Sequence, residues 1–316
     1  MNQIAVSFHI SREEDEVIVT LGSKEGLANL AQAITSPGDI ILSPNPSYPI
    51  HPYGFIIAGA SLRHLPAMDD GIFNPDLYLE RLERSIVESI PTPVAVIVSF
   101  PSNPTAQVVS LEFYKEVVKI ALKNNVYILS DLAYAEIYYD NSPPPSILQI
   151  PKAKEVAVEF TSMSKTYAMA GWRIGFAVGN KRLIYALTRI KSYLDYGAFT
   201  PVQVAAAAAL NGPQDCVEEI RKTYQKRRDV LINSMTRSGW HIPSPKASMF
   251  AWAPIPDKYK DKGSLEFAKE LMLKADVAVS PGVAFGEFGE GFVRVGLVEN
   301  EQRIRQAAKN VKKLLI

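Results

Sequence analysis

The stretch "EVIVTLGSKEGLANLAQAIT" (16–35) decides the fold class. Its first part, EVIVTL, is short and β-branched, the composition of a strand. Gly22 interrupts it, and the residues that follow place Leu27, Leu30, Ala31 and Ile34 on one helical face. Strand, glycine turn and amphipathic helix then recur along the chain. DIILSP (39–44) reads as a strand. VAVIVSF (94–100) is an almost unbroken apolar run, as in a parallel strand covered on both faces. Ser110 is placed to cap a helix whose Phe113, Val117 and Ile120 form a stripe. VYILSD (126–131) and VAVEFTSMSK (156–165) read as two more strands. Strands alternating with helices predict an α/β fold, a mostly parallel sheet flanked by helices.

Beyond residue 213 the pattern changes. QDCVEEIRKTYQKRRDVLINSM (214–235) spaces Val217, Ile220, Tyr224, Leu231 and Met235 at helical intervals. HIPSPKASMFAWAPI (241–255) and VAVSPGVAFG (277–286) read as strands and turns, and a last helix over about 300–315 carries Ile304, Ala307, Ala308, Val311 and Leu314. The expected organisation is a large α/β domain over 1–212 and a smaller α+β domain over 213–316.

The 316 residues are 47% hydrophobic and 21% charged, enough for a sizeable core. A net charge of +1 gives no broad attraction to nucleic acid or a membrane surface. One cysteine, Cys216, excludes an internal disulfide framework and fits a reducing compartment. No apolar stretch is long enough to span a bilayer, and MNQIAVSFHISREEDE lacks the regions of a secretory signal. The expected location is the cytoplasm, and no metal is expected.

In open α/β sheets ligands bind beyond the carboxyl ends of the strands, so those ends hold the candidate residues. LGSKEGL (21–27) brings Ser23 and Lys24 to a helix N-terminus, which suits an ordinary capped helix or an anion site. NPSYP (45–49) holds Tyr48 between two prolines, as a turn or as a platform for a flat ligand. SFPSNPTA (99–106) offers Asn103, and SDLAYAEIYYD (130–140) ends a strand on Asp131 with Tyr134 nearby. In EFTSMSKTYAMAGWRIG (159–175), Lys165 follows a strand, with Ser162 and Ser164 before it and Arg173 after it. A lysine of lowered pKa is a nucleophile toward carbonyl compounds. FVRVGL (292–297) sets Arg294 in an apolar strand, where it needs a carboxylate partner from the protein or a substrate. Each signal has a bland structural reading. Together they supply anion donors, a flat ring, a carboxylate for a ring nitrogen, an amine and a guanidinium, the set pyridoxal phosphate asks for.

The stretches VTLGSKEGLANL, PNPSYPIH, FPSNPTAQ, DLAYAEIYYD, SMSKTYAMAGWRIGF, KSYLDYGAFTPVQ and FVRVGLVEN, in this order, resemble the class I/II (fold-type I) pyridoxal-phosphate aminotransferases. The resemblance runs from about residue 12 to the C-terminus and is closest to the alanine and LL-diaminopimelate aminotransferase-like branch. It implies that Lys165 is the Schiff-base lysine and proton carrier. Asp131 is implied to pair with the pyridine nitrogen, Tyr134 and Asn103 with the ring's phenolic oxygen, and Tyr48 to stack on the ring. Ser23, Lys24, Ser162, Ser164 and Arg173 would hold the phosphate, and Arg294 the substrate carboxylate.

The implied reaction is ping-pong transfer of an amino group from an amino acid to a 2-oxo acid, alanine and 2-oxoglutarate being favoured. Aspartate, other neutral amino acids and LL-diaminopimelate are further donors. A lyase or decarboxylase on the same fold and an inactive truncated remnant are the alternatives. A nucleotide-binding Rossmann protein fails for want of its glycine fingerprint. The resemblance also implies a segment ahead of EVIVTLGSKEGL, with an N-terminal arm and a tyrosine for the partner subunit's phosphate. Only about fifteen residues stand there, so weakened cofactor binding relative to a longer relative is expected. A homodimer is expected if that segment is not essential.

Overall fold

The structure, a computed structural model, describes residues 16–69 and 71–315. The opening stretch forms β1 (Val17–Thr20) and α1 (Ser23–Ile34), joined by Gly22 at φ 90°. A seven-stranded sheet then assembles from β2 (Ile40–Pro44), β3 (Ser61–Leu65), β6 (Ala95–Val98), β7 (Tyr127–Asp131), β8 (Ala157–Ser162) and β9 (Gly175–Gly179) with β1. Two short strands, β4 (Met68–Asp69) and β5 (Ile72–Phe73), pair outside it. The order is β1-β9-β8-β7-β6-β2-β3. Strands β3, β2, β6, β7 and β8 run parallel, and β9 runs antiparallel to both β8 and β1.

Helices cover both faces. On one, α1 buries Leu27, Leu30 and Ala31 against Ile41, Ile97, Leu129 and Phe160, together with α2 (Ile50–Ile57) and α6 (Lys181–Leu194). On the other, α3 (Pro75–Val87) and α4 (Leu111–Asn124) enclose Leu42, Val96, Val98 and Ile128. Burying each such aliphatic side chain is worth about 1.5–3 kcal/mol before chain entropy is counted. The Ser110 hydroxyl caps α4 by accepting from the Phe113 N–H.

A second core lies toward the C-terminus. After α7 (Thr200–Asn211), the long α8 (Asp215–Arg237), α9 (Gly263–Ala275) and α10 (Glu301–Leu315) pack on an antiparallel sheet of β10 (Phe250–Pro254), β12 (Phe292–Gly296) and β11 (Ser280–Pro281). Trp240, fully enclosed there, donates its indole N–H to the Pro254 carbonyl at 2.8 Å. Ile137 and Tyr139, from the first half of the chain, join this core. One expectation needs correction. The strand read over 156–165 stops at Ser162, whose hydroxyl accepts from the Ser164 N–H as the chain turns into the short α5 (Met163–Thr166). In VAVSPGVAFG, read as strand and turn, Ser280 and Pro281 pair with β12 and Gly282–Phe285 form the turn.

Candidate active site

The sheet brings the carboxyl ends of β1, across β9, and of β8 and β7 to one edge, and Asn103 in the loop after β6 meets Arg294 of β12. Gly22 opens the first of these places. A Cβ on it would sit 2.6 Å from an Arg173 guanidinium nitrogen, and one on Gly175 would sit 2.5 Å from the Thr161 carbonyl and 3.1 Å from the Ser23 N. No side chain caps α1, so its first N–H groups are left for an anion. Arg173, itself at φ 51°, donates to the carbonyls of Leu21 and Ala170, both at 3.0 Å, and to the Ser164 hydroxyl at 3.4 Å. The Ser162 hydroxyl accepts from the Ser164 N–H at 3.2 Å, which starts α5 and turns Lys165 toward the site. Lys24 reaches over the Tyr48 ring, 6.0 Å from its centre.

The other end of the site is buried. Asp131 accepts from the Ala133 N–H at 3.2 Å on one oxygen and faces His51 Nε2 at 3.0 Å on the other. Both side chains are almost wholly enclosed. A carboxylate acceptor calls for Nε2–H as the donor, and His51 Nδ1 has no hydrogen-bond partner among the described residues. Burial chiefly, and then the Asp131 charge, push the Tyr134 hydroxyl well above its ordinary range, against the lowering pull of Arg294 and Asn103. The Tyr134 ring stands edge-on to Phe250.

Arg294 closes the circuit. It donates to Asn103 Oδ1 at 2.6 Å and to the Ser280 hydroxyl at 3.3 Å, with its guanidinium over the rings of Phe250 (4.2 Å) and Phe285 (4.6 Å). The carboxylate partner expected from sequence is not among these groups. An amide and a hydroxyl take its place, so the guanidinium keeps an unneutralised charge. Burial holds the Arg294 pKa below its usual range. Burial first, then the charges of Arg173 and Arg294, also lower the Lys165 pKa. The amine thereby gains nucleophilic character. Lys165 and Ser164 border a groove of about 520 Å³ against Ile220, Tyr224 and Arg227 of α8.

Thus Ser23, Lys24, Tyr48, Asn103, Asp131, Tyr134, Ser162, Ser164, Lys165, Arg173 and Arg294 lie in one linked constellation. The local pattern of PNPSYPIH gives His51 no role, because only the fold carries α2 to the end of β7. Nor does local pattern single out Phe250, Phe285 or Ser280. An arginine in an apolar strand was the only hint that rings would flank it.

The model of the family described as "Aminotransferase class I and II" matches residues 2–311. The chain belongs to the class I and II aminotransferases. It is 55% identical over 299 residues to the glutamate-pyruvate aminotransferase AlaC of Escherichia coli (strain K12), covering 95% of this chain and 71% of AlaC. It is 41% identical over 297 residues to an LL-diaminopimelate aminotransferase of Natranaerobius thermophilus, covering 94% and 75%. Among solved structures, apo-BacF of Bacillus subtilis superposes with a TM-score of 0.92 at 32% identity, covering 99% of this chain and 82% of that one. This aminotransferase is a pyridoxal-phosphate enzyme. The donor set fits that group: open N–H groups, hydroxyls and a guanidinium at one end, a fixed carboxylate at the other, and an amine of lowered pKa between them. Among its described residues, no helix is long and apolar enough to cross a membrane.

Proposed function

We propose that this aminotransferase moves the amino group between alanine and 2-oxoglutarate, in two half-reactions that alternate on one site. The observation that supports it most is Arg294. It is half-buried between two rings, with only neutral groups as hydrogen-bond partners, and its fork matches the α-carboxylate shared by both substrates. The likeness to AlaC favours the glutamate–pyruvate pair.

The cofactor supplies an aldehyde for the amino group and a ring that accepts electrons when the substrate's Cα–H bond breaks. The chain supplies the rest. Ser23, Lys24, Ser162, Ser164 and Arg173 would bind the phosphate. Tyr48 would stack on the ring, and Asp131 would favour positive charge at its nitrogen. Tyr134 and the Asn103 amide would donate to the ring oxygen, and Arg294 would exchange part of its bond to Asn103 Oδ1 for the substrate carboxylate. Lys165 Nζ, its pKa lowered by burial and by the charges of Arg173 and Arg294, would take the proton from the substrate's Cα and pass it to the carbon that carried the cofactor's aldehyde. In this reading the chain divides near 212/213 and acts in the cytoplasm as a homodimer. The exposed Tyr193, Tyr196 and Phe199 offer a surface for a second copy.

A panel of amino donors tests the proposal, scored by absorbance of the loaded enzyme in the first half-reaction and by keto-acid product in the full one. Alanine should give the highest kcat/KM. A tenfold preference for LL-diaminopimelate or aspartate would replace the substrate assignment. Ammonia released in step with keto acid would instead support the lyase alternative.

A further inference from the structure

The segment KSYLDYGAFTPVQ (191–203) contributes nothing to the constellation above, yet it contains a lysine only 2% exposed. Lys191, near the end of α6, directs its ammonium to Glu25 Oε1 at 2.9 Å and to Asp195 Oδ2 at 2.7 Å. A buried ammonium is tolerated only with such partners. Glu25 lies in the first turn of α1. Its Oε2 accepts from the Leu21 N–H at 2.7 Å, and the Asn29 amide donates to Oε1 beside Lys191. Leu21 is therefore held from both sides, its N–H by Glu25 and its carbonyl by Arg173 at 3.0 Å. That peptide leads directly into Gly22 and Ser23, whose backbone presents the anion donors. Asp195 in turn accepts from the Gly197 N–H at 2.7 Å. Burial works against the Asp195 charge, but Lys191 and that N–H pull its carboxyl below the ordinary range.

We infer that Lys191 is a positioning residue for the phosphate end of the cofactor site, acting through Glu25 on the Leu21–Ser23 turn. The inference rests on the reading that Ser23 and Arg173 hold the phosphate. A carboxylate in the first turn of α1 also competes with an incoming anion for the positive end of the helix. The Lys191 ammonium cancels that charge while leaving Glu25 free to hold the turn.

The test uses the full chain, stripped of cofactor, and two probes: pyridoxal 5′-phosphate and pyridoxal, which lacks the phosphate. Dissociation constants are measured for the wild type, Lys191→Met, Lys191→Arg, Glu25→Ala and Lys191→Met/Glu25→Ala. Lys191→Met should weaken pyridoxal phosphate about tenfold or more and leave pyridoxal nearly unchanged. Lys191→Arg should recover most of the loss. The double variant should match Glu25→Ala alone, because Lys191 acts through Glu25. Equal weakening of both probes, no weakening of either, or additive losses would each overturn the inference. If Lys191→Met does not fold, Glu25→Ala carries the same expected split between probes and the same overturning result. Arg173→Ala is the control for the underlying reading. If it does not weaken pyridoxal phosphate selectively, the phosphate assignment itself fails, whatever Lys191 does.

Discussion

Arg173 is exposed and bonds to backbone carbonyls and a hydroxyl, whereas Asp131 is buried and bonds to a histidine. These two residues stand for the two ends of the site. At the end proposed for the phosphate the donors are backbone N–H groups, serines and a guanidinium bonded to the Leu21 carbonyl. At the ring end the groups are titratable and shut away from water, where charge is screened least. The first end should govern how tightly the cofactor is held. The second should govern how fast the chemistry runs, because charge that changes during the reaction is felt most where water is absent.

Asp131→Asn breaks the comparison most severely. It keeps the shape of the side chain and removes its charge. We expect kcat to fall about a hundredfold or more, with a much smaller loss of cofactor affinity. Steady-state kinetics at saturating cofactor, with a parallel binding titration, check this. His51→Ala should follow in the same direction to a lesser degree, since it only orients Asp131. A loss confined to affinity in either variant would erase the distinction between the ends.

Arg173→Ala probes the opposite end. A charge-assisted hydrogen bond lost at an exposed site should weaken pyridoxal phosphate by about tenfold to a hundredfold. The kcat of the saturated enzyme should fall less than the affinity does, because burial, and not the Arg173 charge, is the larger cause of the lowered Lys165 pKa. The affinity should also fall with added salt, more steeply in the wild type than in the variant. A drop in kcat matching the drop in affinity would show that the phosphate end also sets the geometry of the chemistry.

The two ends were not equally legible in the sequence. The phosphate end lies in short local stretches, LGSKEGL and SMSKTYAMAGWRIG, whose glycines and serines mark turns by themselves. The parallel strands were legible too, since burial on both faces leaves a continuous apolar run such as VAVIVSF. The ring end depends on pairs far apart in the chain. His51 meets Asp131 across 80 positions and Arg294 meets Asn103 across 191, and no local pattern encodes such meetings. Lys191 was hidden for the same reason. Its helix reads as amphipathic and charged, and only the packing of α6 on α1 turns that ammonium inward.

Glu159 gives the smallest effect and isolates burial from ligand binding. It sits one strand position before Phe160 on β8, opposite Ser130 of β7, and is 2% exposed. Burial raises its carboxyl from 4.5 to about 7, even though hydroxyls of Ser146 (2.5 Å) and Ser130 (2.9 Å) and the Ile147 N–H (3.3 Å) all donate to it and favour its charge. Between those two pH values the folded chain keeps a proton that the unfolded chain has released. The contribution to stability is therefore full below about 4.5 and is lost as pH rises through about 7. Glu159→Gln removes that proton equilibrium and should flatten the slope. In thermal melts at pH 5 and pH 8, the wild type should lose about a few degrees more than the variant between the two. Equal losses would mean that the three donors hold the carboxylate charged throughout, so that hydrogen bonds, and not exclusion of water, set the cost of charge in this core. That result would carry back to Asp131, whose hydrogen-bond partners among the described residues are His51 and the Ala133 N–H, and would give His51 the larger part in holding that buried side chain.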